Sequence, residues 1–509
     1  MFDNTAGSLR KQWSNPGDIL SLLLLIGGDT VQKAIAQLVG YTLSPFGSRG
    51  LSIGLTPVAF SFGWVAYGFT NLLSVVGERK LMPTADVPVI VVNCANAFAR
   101  TNQSWVLGRL LRDHEIRNEV DSSDPFDGHL PSTSPEGRAE SIRIDIFELG
   151  APSKPNLDLV WWLGWVTIIV QIGIAIPPWY LNKNWGVAMI VLCGNFLAFL
   201  TCALPQWRQE KWAGRTLTSD QVTCLTRGNG FAHIMVFIGR KGSWNLETLA
   251  TASSTSRPET LVISLILAVL WVCLLISVSG LEEHAWYLVG IGGIGMLQNV
   301  IAAGKERDPG ASDFHLTKFS RMPTIIGKRQ RFNDDHDAEV DLDQTKNDLS
   351  QLYTWLQTRD PSVQDPSVQM PRWLDSMTKE DGVPDWLEPI KFEKNNIANV
   401  HGALQELEKW VPTAGLAMVQ IFFPASLQYE DDHIRNNVHK KFWKRAYHTK
   451  DVRKKAEHKR RESERNYKGK DEHENNCSWL SWPIILGGQS RRFRFPKVSD
   501  HIYDQDLDQ

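Results

Sequence analysis

The chain reads as an α-helical polytopic membrane protein with about six transmembrane helices, a small α+β cytosolic cap and a helical, partly disordered C-terminal region. Three observations predict that class. Long apolar runs occupy 51–77, 157–179, 185–207, 260–281 and 284–304, and the run 260–281 holds no charged residue. A helix rises about 1.5 Å per residue, so roughly 20 apolar residues cross a hydrocarbon core about 30 Å thick. The second observation is the set of 20 tryptophans. They gather at run ends: Trp161, Trp162 and Trp165, then Trp179 and Trp185, then Trp207 and Trp212. Indole favours the headgroup region because its ring is apolar while its N–H needs a partner. The third is a mean hydropathy of −0.22, too low for a chain that is membrane from end to end.

The N-terminal elements come first. After a cytosolic N-terminus (1–18) carrying Arg10 and Lys11, residues 19–40 are predicted as a first, weakly polar membrane helix. Asp29 and Lys33, four apart, share a face and can pair. The other reading is a helix on the membrane surface with both charges reaching water. Leu51–Gly77 is the second span. Its opening Gly50-Leu51-Ser52-Ile53-Gly54 matches the spacing of a nucleophile elbow, but that turn needs a strand before the serine and none is predicted.

Residues 78–156 form a hydrophilic segment with strands at Val87–Asn93 and Ser141–Leu149 and a helix at Ser104–Glu115. Ile142, Ile144 and Ile146 alternate as in a half-buried strand. Asp121–Pro135 is loop by composition. Spans three and four, within 157–207, are joined by Tyr180–Asn184 and so form an antiparallel hairpin. Gln171 and Asn195 are their interior polar groups, expected to bond between helices. In 208–259, strands at Gln221–Leu225 and Ala232–Ile238 flank Asn229-Gly230, a hairpin signal. This hairpin is expected to pair with the strands of 78–156, and His233 is read as a structural strand residue. Spans five and six fill 260–304. Gly290-Ile291-Gly292-Gly293-Ile294-Gly295 has dinucleotide-fingerprint spacing, yet no strand precedes it; small residues there predict close helix packing.

From 305 to 470 a cytosolic helical region is expected, with a disordered tail over 471–509. Asn333–Gln344 is a dense acidic run, 360–369 is a tandem DPSVQ linker, and 346–358 is an amphipathic helix. Between Pro412 and Pro424 only 11 residues remain, too few to span, so a re-entrant or docked helix is expected. Arg435–Lys470 carries fifteen Lys and Arg against four acids. Ile434, Val438, Phe442 and Ala446 repeat every four residues along it. Such a helix lies against anionic lipid headgroups through Lys440, Lys441, Lys444, Arg445, Arg453, Lys454 and Lys455; a solvated charged helix is the other reading. Nucleic acid is not an expected partner of a membrane-tethered segment.

Net charge is −2, which implies no partner by itself. The six cysteines show no CxxC spacing, so neither a zinc ribbon nor a redox pair is indicated. The connections 41–50, 180–184 and 282–283 carry one, one and no Lys or Arg, while the large polar segments carry many. The positive-inside rule then gives six spans with both termini cytosolic, in the plasma membrane or endoplasmic reticulum. The sequons at Asn102 and Asn476 are accordingly internal.

Candidate chemistry is sparse. Asp158, Glu282, Glu283 and His284 lie at span ends and are the candidates for membrane-embedded acid chemistry; interface anchoring is the competing role. Asp334, Asp335, His336 and Asp337 are the metal candidates, although the run lacks the glycine and closing Glu of an EF-hand. The DDxxD pattern of isoprenoid diphosphate enzymes fails at Ala338. No cofactor is implied.

The segments LTPVAFSFGWVAYGF (55–69), PQWRQEKW (205–212), CLTRGNG (224–230), GRKGSWNLETLAT (239–251), SGLEEHAWYLVGIGGIGMLQNV (279–300) and LEKWVPTAGLAMVQIFFP (407–424) resemble a family of uncharacterised polytopic membrane proteins of filamentous fungi. The resemblance covers most of 16–450 and implies a fungal host and an integral membrane location, with no reaction attached. The first functional expectation is a membrane sensing or scaffolding module. The alternatives are a membrane-embedded enzyme of secondary metabolism, such as an isoprenoid cyclase, and a channel or transporter.

Overall fold

The structure, a computed structural model, describes residues 27–43, 53–120, 140–252, 257–281, 284–320, 322–328, 397–424 and 443. Helices and one large sheet make up these residues. Three helices are long and apolar enough to cross a membrane: α4 (Leu159–Asn182), α8 (Pro258–Ser279) and α9 (Ala285–Gly304). A fourth candidate is the pair α5 (Gly186–Cys202) and α6 (Pro205–Lys211), bent by 46°. The bend falls at Leu204, whose extended ψ of 123° precedes Pro205, as expected of the residue before a proline. Each long helix buries one face and exposes another. Ile169, Val262, Ile266 and Leu297 are more than half exposed, an apolar surface suited to acyl chains rather than water.

The first two predicted spans take another form. Residues 19–26 lie outside the described residues, and the first described helix is α1 (Gly28–Leu38), amphipathic and 11 residues long. Lys33 pairs with Asp86 at 3.4 Å, while Asp29 is exposed. The expected pairing of Asp29 with Lys33 therefore gives way to that of Lys33 with Asp86. Within 51–77 the helix α2 (Trp64–Gly77) has 14 residues, which gives about 21 Å, short of a full crossing. Before it, β1 (Thr42–Leu43) and β2 (Ile53–Gly54) form a small antiparallel pair, and 55–61 is neither helix nor strand, with a tight turn in which Val58 N donates to Thr56 O at 3.0 Å. Pro57 and the positive φ of Gly63, 100°, keep the helix from starting earlier.

The remaining strands make one eight-stranded mixed sheet. They are β3 (Ile90–Asn93), β4 (Phe98–Thr101), β5 (Glu140–Leu149), β6 (Gln221–Thr226), β7 (His233–Gly239), β8 (Leu316–Lys318), β9 (Thr324–Lys328) and β10 (Ile397–Ala398). The order is β10-β9-β5-β7-β6-β3-β4, with β8 also on β5. The hairpin β6–β7 pairs with β3 and β5, as its sequence predicts, and Gly230 supplies a positive φ in its turn. β8, β9 and β10 fall in the region read as helical. They are short, and β9 carries its own alternation, Ile325 and Gly327 buried between half-buried neighbours.

β5 is buried on both faces rather than one. Ile142, Ile144 and Ile146 face α10 (Asn399–Trp410) and α11 (Ala414–Phe422), while Phe147 and Leu149 belong to the core shared with the long helices and α3 (Trp105–Arg117). The segment 410–424 is thus a helix docked on the sheet. Trp443 packs there too and donates to His401 Nε2 at 3.1 Å.

Connectivity fixes the architecture. β5 leads into α4, and the chain returns through α5 and α6 to β6 and β7. It leaves again through α8, after the short α7 (Leu246–Leu249), and returns through α9 to β8. β5 and β7 are parallel, and parallel neighbours need a crossover; here the crossover includes the helical hairpin α4–α5. All four sheet-side helix ends are consequently gathered in one layer.

Candidate functional site

Two polar constructions stand out. The first is the non-helical segment at 57–61, threaded through the helical bundle with Val58, Ala59, Phe60 and Ser61 buried. Backbone without its own helix must find partners in apolar surroundings, where each unsatisfied group costs several kcal/mol. Amide side chains from three helices supply them. Gln171 of α4 donates to Phe60 O at 2.6 Å and to Ile291 O at 3.0 Å. Phe60 N donates to Asn195 Oδ1 of α5 at 3.1 Å, and Asn195 Nδ2 donates to Gln171 Oε1 at 3.2 Å. Ala59 N donates to Gln298 Oε1 of α9 at 3.2 Å. Asn299 donates to Ser61 Oγ at 2.6 Å, and Trp64 Nε1 to Ala59 O at 2.9 Å.

Glycines make the room. A Cβ on Gly164 would overlap Pro57 O, one on Gly295 would overlap Phe60 O, and one on Gly292 would overlap the Phe62 ring. The predicted close packing at 290–295 brings α9 against both the 57–62 segment and α4, where Gln171 Nε2 lies within 2.6 Å of a Cβ placed on Gly295 and donates to Ile291 O. Gly290 has no neighbour within 4 Å. On the other side Trp271 of α8 stacks on Trp64 with centroids 5.2 Å apart. Gln171 and Asn195 do bond between helices, as their sequence context predicts. Sequence reasoning misses Gln298 and Asn299, although two adjacent amides inside an apolar run are an available signal.

The second construction is a belt of charges where the helices meet the sheet unit. Arg307, just past α9, grips Asp158 with Nε to Oδ2 at 2.6 Å and Nη2 to Oδ1 at 2.8 Å. Its Nη1 donates to Gln37 O at the end of α1, and its backbone N to Asp113 Oδ2 at 3.0 Å. Lys211, fully buried, donates to Gln37 O at 3.1 Å and Val39 O at 2.8 Å. Cations at helix C-terminal carbonyls complement the helix dipole. α3 treats α9 in the same way: Arg109 Nη2 reaches Lys305 O at 2.9 Å and Arg112 Nη2 reaches Gly304 O at 2.8 Å. Arg109 Nε also lies 3.1 Å from Asp113 Oδ1, an ion-pair contact without hydrogen-bond alignment. Burial pushes the Asp113 carboxyl up to about 6, against the pull of the Arg307 backbone N–H and nearby arginines. Burial also opposes charge on Asp158, but Arg307 prevails and holds its carboxyl below the usual range.

Asp158 has a further task. Its Oδ1 accepts from Trp161 N at 3.1 Å, capping α4. Its carboxylate is thus engaged by a cap and a guanidinium. His284, by contrast, caps the opposite end of α9 with φ 64° and its ring edge-on to Tyr287. The 20-residue α9 separates the two, about 30 Å at helical rise, so the structure does not bring them together. Glu282, Glu283, Asp334, Asp335, His336 and Asp337 lie outside the described residues, as do Lys440, Lys441, Lys444, Arg445, Arg453, Lys454 and Lys455. Among the described residues no group of three or more His, Cys, Asp or Glu is placed to hold one metal ion.

A third polar cluster joins α3 to the sheet. His114 Nε2 lies 2.9 Å from Asp145 Oδ2, Thr324 Oγ1 donates to Asp145 Oδ1 at 2.6 Å, and Arg143 Nε donates to Oδ2 at 3.1 Å. Burial opposes charge on Asp145, but His114, Thr324 and Arg143 hold it down at about 2. His233, in β7 as a strand residue, is pushed down to about 4 by burial and by His114, whose ring centroid is 6.2 Å away. Comparison with family models, curated proteins and solved structures finds no match for this chain.

Proposed function

We propose that the chain is a multi-pass membrane protein acting as a sensing or scaffolding module, in which a cytosolic sheet unit and a membrane bundle behave as one rigid body. The observation that carries this reading is the charge belt. Arg307, Asp158, Asp113 and Arg109 connect α4, α9 and α3 through short bonds, so a shift of the spans moves the sheet surface. The sheet is assigned to the cytosol because the sheet-side ends are rich in Lys and Arg while 180–184 and 282–283 carry one and none. In place of six crossings, this reading has four, formed by α4, α5 with α6, α8 and α9. Residues 53–77 dip in as non-helical chain and return as α2. Arg10 and Lys11 keep the N-terminus on the cytosolic side. The fungal family and the choice between plasma membrane and endoplasmic reticulum rest on the sequence motifs alone.

The test has two parts. Alkaline carbonate should leave the protein in the membrane pellet, and glycosylation acceptors inserted at 180–184 should be modified while those inserted at 240–242 should not. Release by carbonate, or the reverse modification pattern, defeats the topology. In thin and thick bilayers, hydrogen exchange at β3 and β4 should differ for the wild type and become equal in Arg307→Met. Equal exchange already in the wild type defeats the coupling.

Transport is the second reading, favoured by the non-helical segment 57–61 buried among helices, since secondary transporters place their sites at non-helical backbone in the bundle. Against it, Pro57 O, Ala59 O and Phe60 O each accept from a side chain of the protein, which occupies the oxygens an ion would need. Ion flux into reconstituted vesicles decides between the two.

A further inference from the structure

A cleft of about 600 Å³ opens between α1, α3 and the sheet-side end of α9. Lys33, Arg109, Arg112 and Arg227 line it against two carboxylates, Asp86 and Glu115. Asp86 alone answers three cations: Arg109 at 3.0 Å, Lys33 at 3.4 Å and Arg112 at 3.6 Å. The last two exceed the separation of about 2.7–2.9 Å typical of a good charge-assisted bond, so both cations keep donors to offer. Glu115 meets Arg227 Nη2 at 3.0 Å, while Arg227 Nε is buried with no hydrogen-bond partner among the described residues. Against Asp86, Glu115 and the Asp113 carboxylate that Arg109 also meets, the four cations keep an excess of one positive charge in a recess that excludes part of the solvent, which strengthens attraction for an anion.

Its remaining wall is apolar. Val300 and Ala303 of α9 line it, and Val300 is 47% exposed with Leu297, one turn earlier, 62% exposed. The cleft is thus continuous with the strip of α9 that faces outward between its neighbours. A ligand with an anionic head and an apolar body matches both walls. We propose that this cleft binds the phosphate headgroup of an anionic phospholipid, with the acyl chains lying along Leu297 and Val300. The inference rests on the membrane reading above and supplies its signal: a lipid seated between α1, α3 and α9 touches the sheet unit and a span together. It is distinct from the basic run at 435–470, which would act on the membrane surface rather than in a recess.

Full-length protein in neutral detergent would be titrated with dioleoyl phosphatidic acid, dioleoyl phosphatidylcholine and inorganic phosphate, and bound species read by native mass spectrometry. Phosphatidic acid should be retained and phosphatidylcholine lost. Lys33→Gln with Arg112→Gln should weaken phosphatidic acid about 25-fold, since each cation near an anionic headgroup contributes on the order of a factor of five. Lys33→Gln alone, at the exposed rim, should weaken it severalfold with the melting temperature unchanged, which separates binding from folding. Val300→Trp should weaken phosphatidic acid while leaving displacement by inorganic phosphate as it is. Equal retention by the wild type and the double variant would place the lipid elsewhere and overturn the inference. Inorganic phosphate binding as tightly as the lipid, with no effect of Val300→Trp, would make this a free-phosphate site and overturn the lipid source. Carbonate extraction reports on the membrane reading independently, so loss of one result leaves the other standing.

Discussion

The non-helical segment inside the bundle and the belt at its sheet-side end solve one problem with opposite chemistry. Both bring polar backbone or side chains into places shielded from water. At 57–61 the partners are neutral: Gln171, Asn195, Gln298 and Asn299. One level up, the partners are ions: Arg307 with Asp158 and Arg109 with Asp86. Depth explains the difference. A neutral amide donates and accepts without the cost of desolvating a charge, while an ion pair needs nearby water or several hydrogen bonds to offset that cost. The belt has them, since Asp86 and Asp158 are 12% and 19% exposed and Arg307 spreads its charge over three acceptors.

Variants can break this comparison, beginning with the most damaging. Gly295→Val drives a side chain into Phe60 O, where the backbone has no slack; we expect loss of monodisperse protein in detergent by size-exclusion chromatography. Arg307→Met removes one side of a buried pair and leaves Asp158 without its guanidinium, while the backbone N–H of residue 307 still serves Asp113; the expected loss is about 3–5 kcal/mol. Adding Asp158→Asn should recover part of it in thermal melts; full additivity would show that the two are not coupled. Gln171→Leu strips donors from Phe60 O and Ile291 O and should cost about 1–3 kcal/mol, less than Arg307→Met if the neutral clamp is the gentler solution.

The pH dependence tests the third cluster. The folded pKa of His233, about 4, lies below its unfolded value of about 6.5. The native state therefore binds fewer protons, and stability is fully present above pH 6.5 and lost as pH falls toward 4. The loss should approach roughly 2 kcal/mol, read from hydrogen exchange of β5 and β7 amides, and His233→Asn should flatten it. Gly290→Ala is the smallest case: with open space around it, the helix should gain about 0.5–1 kcal/mol. A loss there would mean that every glycine in 290–295 is structural.

The long helices were legible because hydropathy alone specifies them, and β3, β5, β6 and β7 because alternation and Asn229-Gly230 mark them. The interruption at 57–61 was not. Pro57 and Gly63 are ordinary in a membrane helix, and their effect depends on amides more than 100 residues away, such as Gln171 and Gln298. The belt was hidden for the same reason: Asp158 shows as a span-end acid, but nothing local predicts Arg307. β8, β9 and β10, with three, five and two residues, carry little pattern of their own: β8 and β9 form on the edge that β5 offers, and β10 on β9.

The parallel pairing of β5 with β7 has a consequence for synthesis. β5 leaves the ribosome before α4, and its partner β7 emerges only after the helical hairpin α4–α5. Its other neighbour, β9, comes after a second hairpin. One edge of β5 therefore waits for the first helical hairpin and the other edge for the second, and long-range pairing of this kind is slow and exposed to aggregation. Completion of the sheet becomes a checkpoint that only a correctly threaded chain passes. Arrested nascent chains ending after 250 should be protease-sensitive at 140–149, and chains carried past 328 should be protected; early protection would show that β5 finds a shelter before its neighbours arrive.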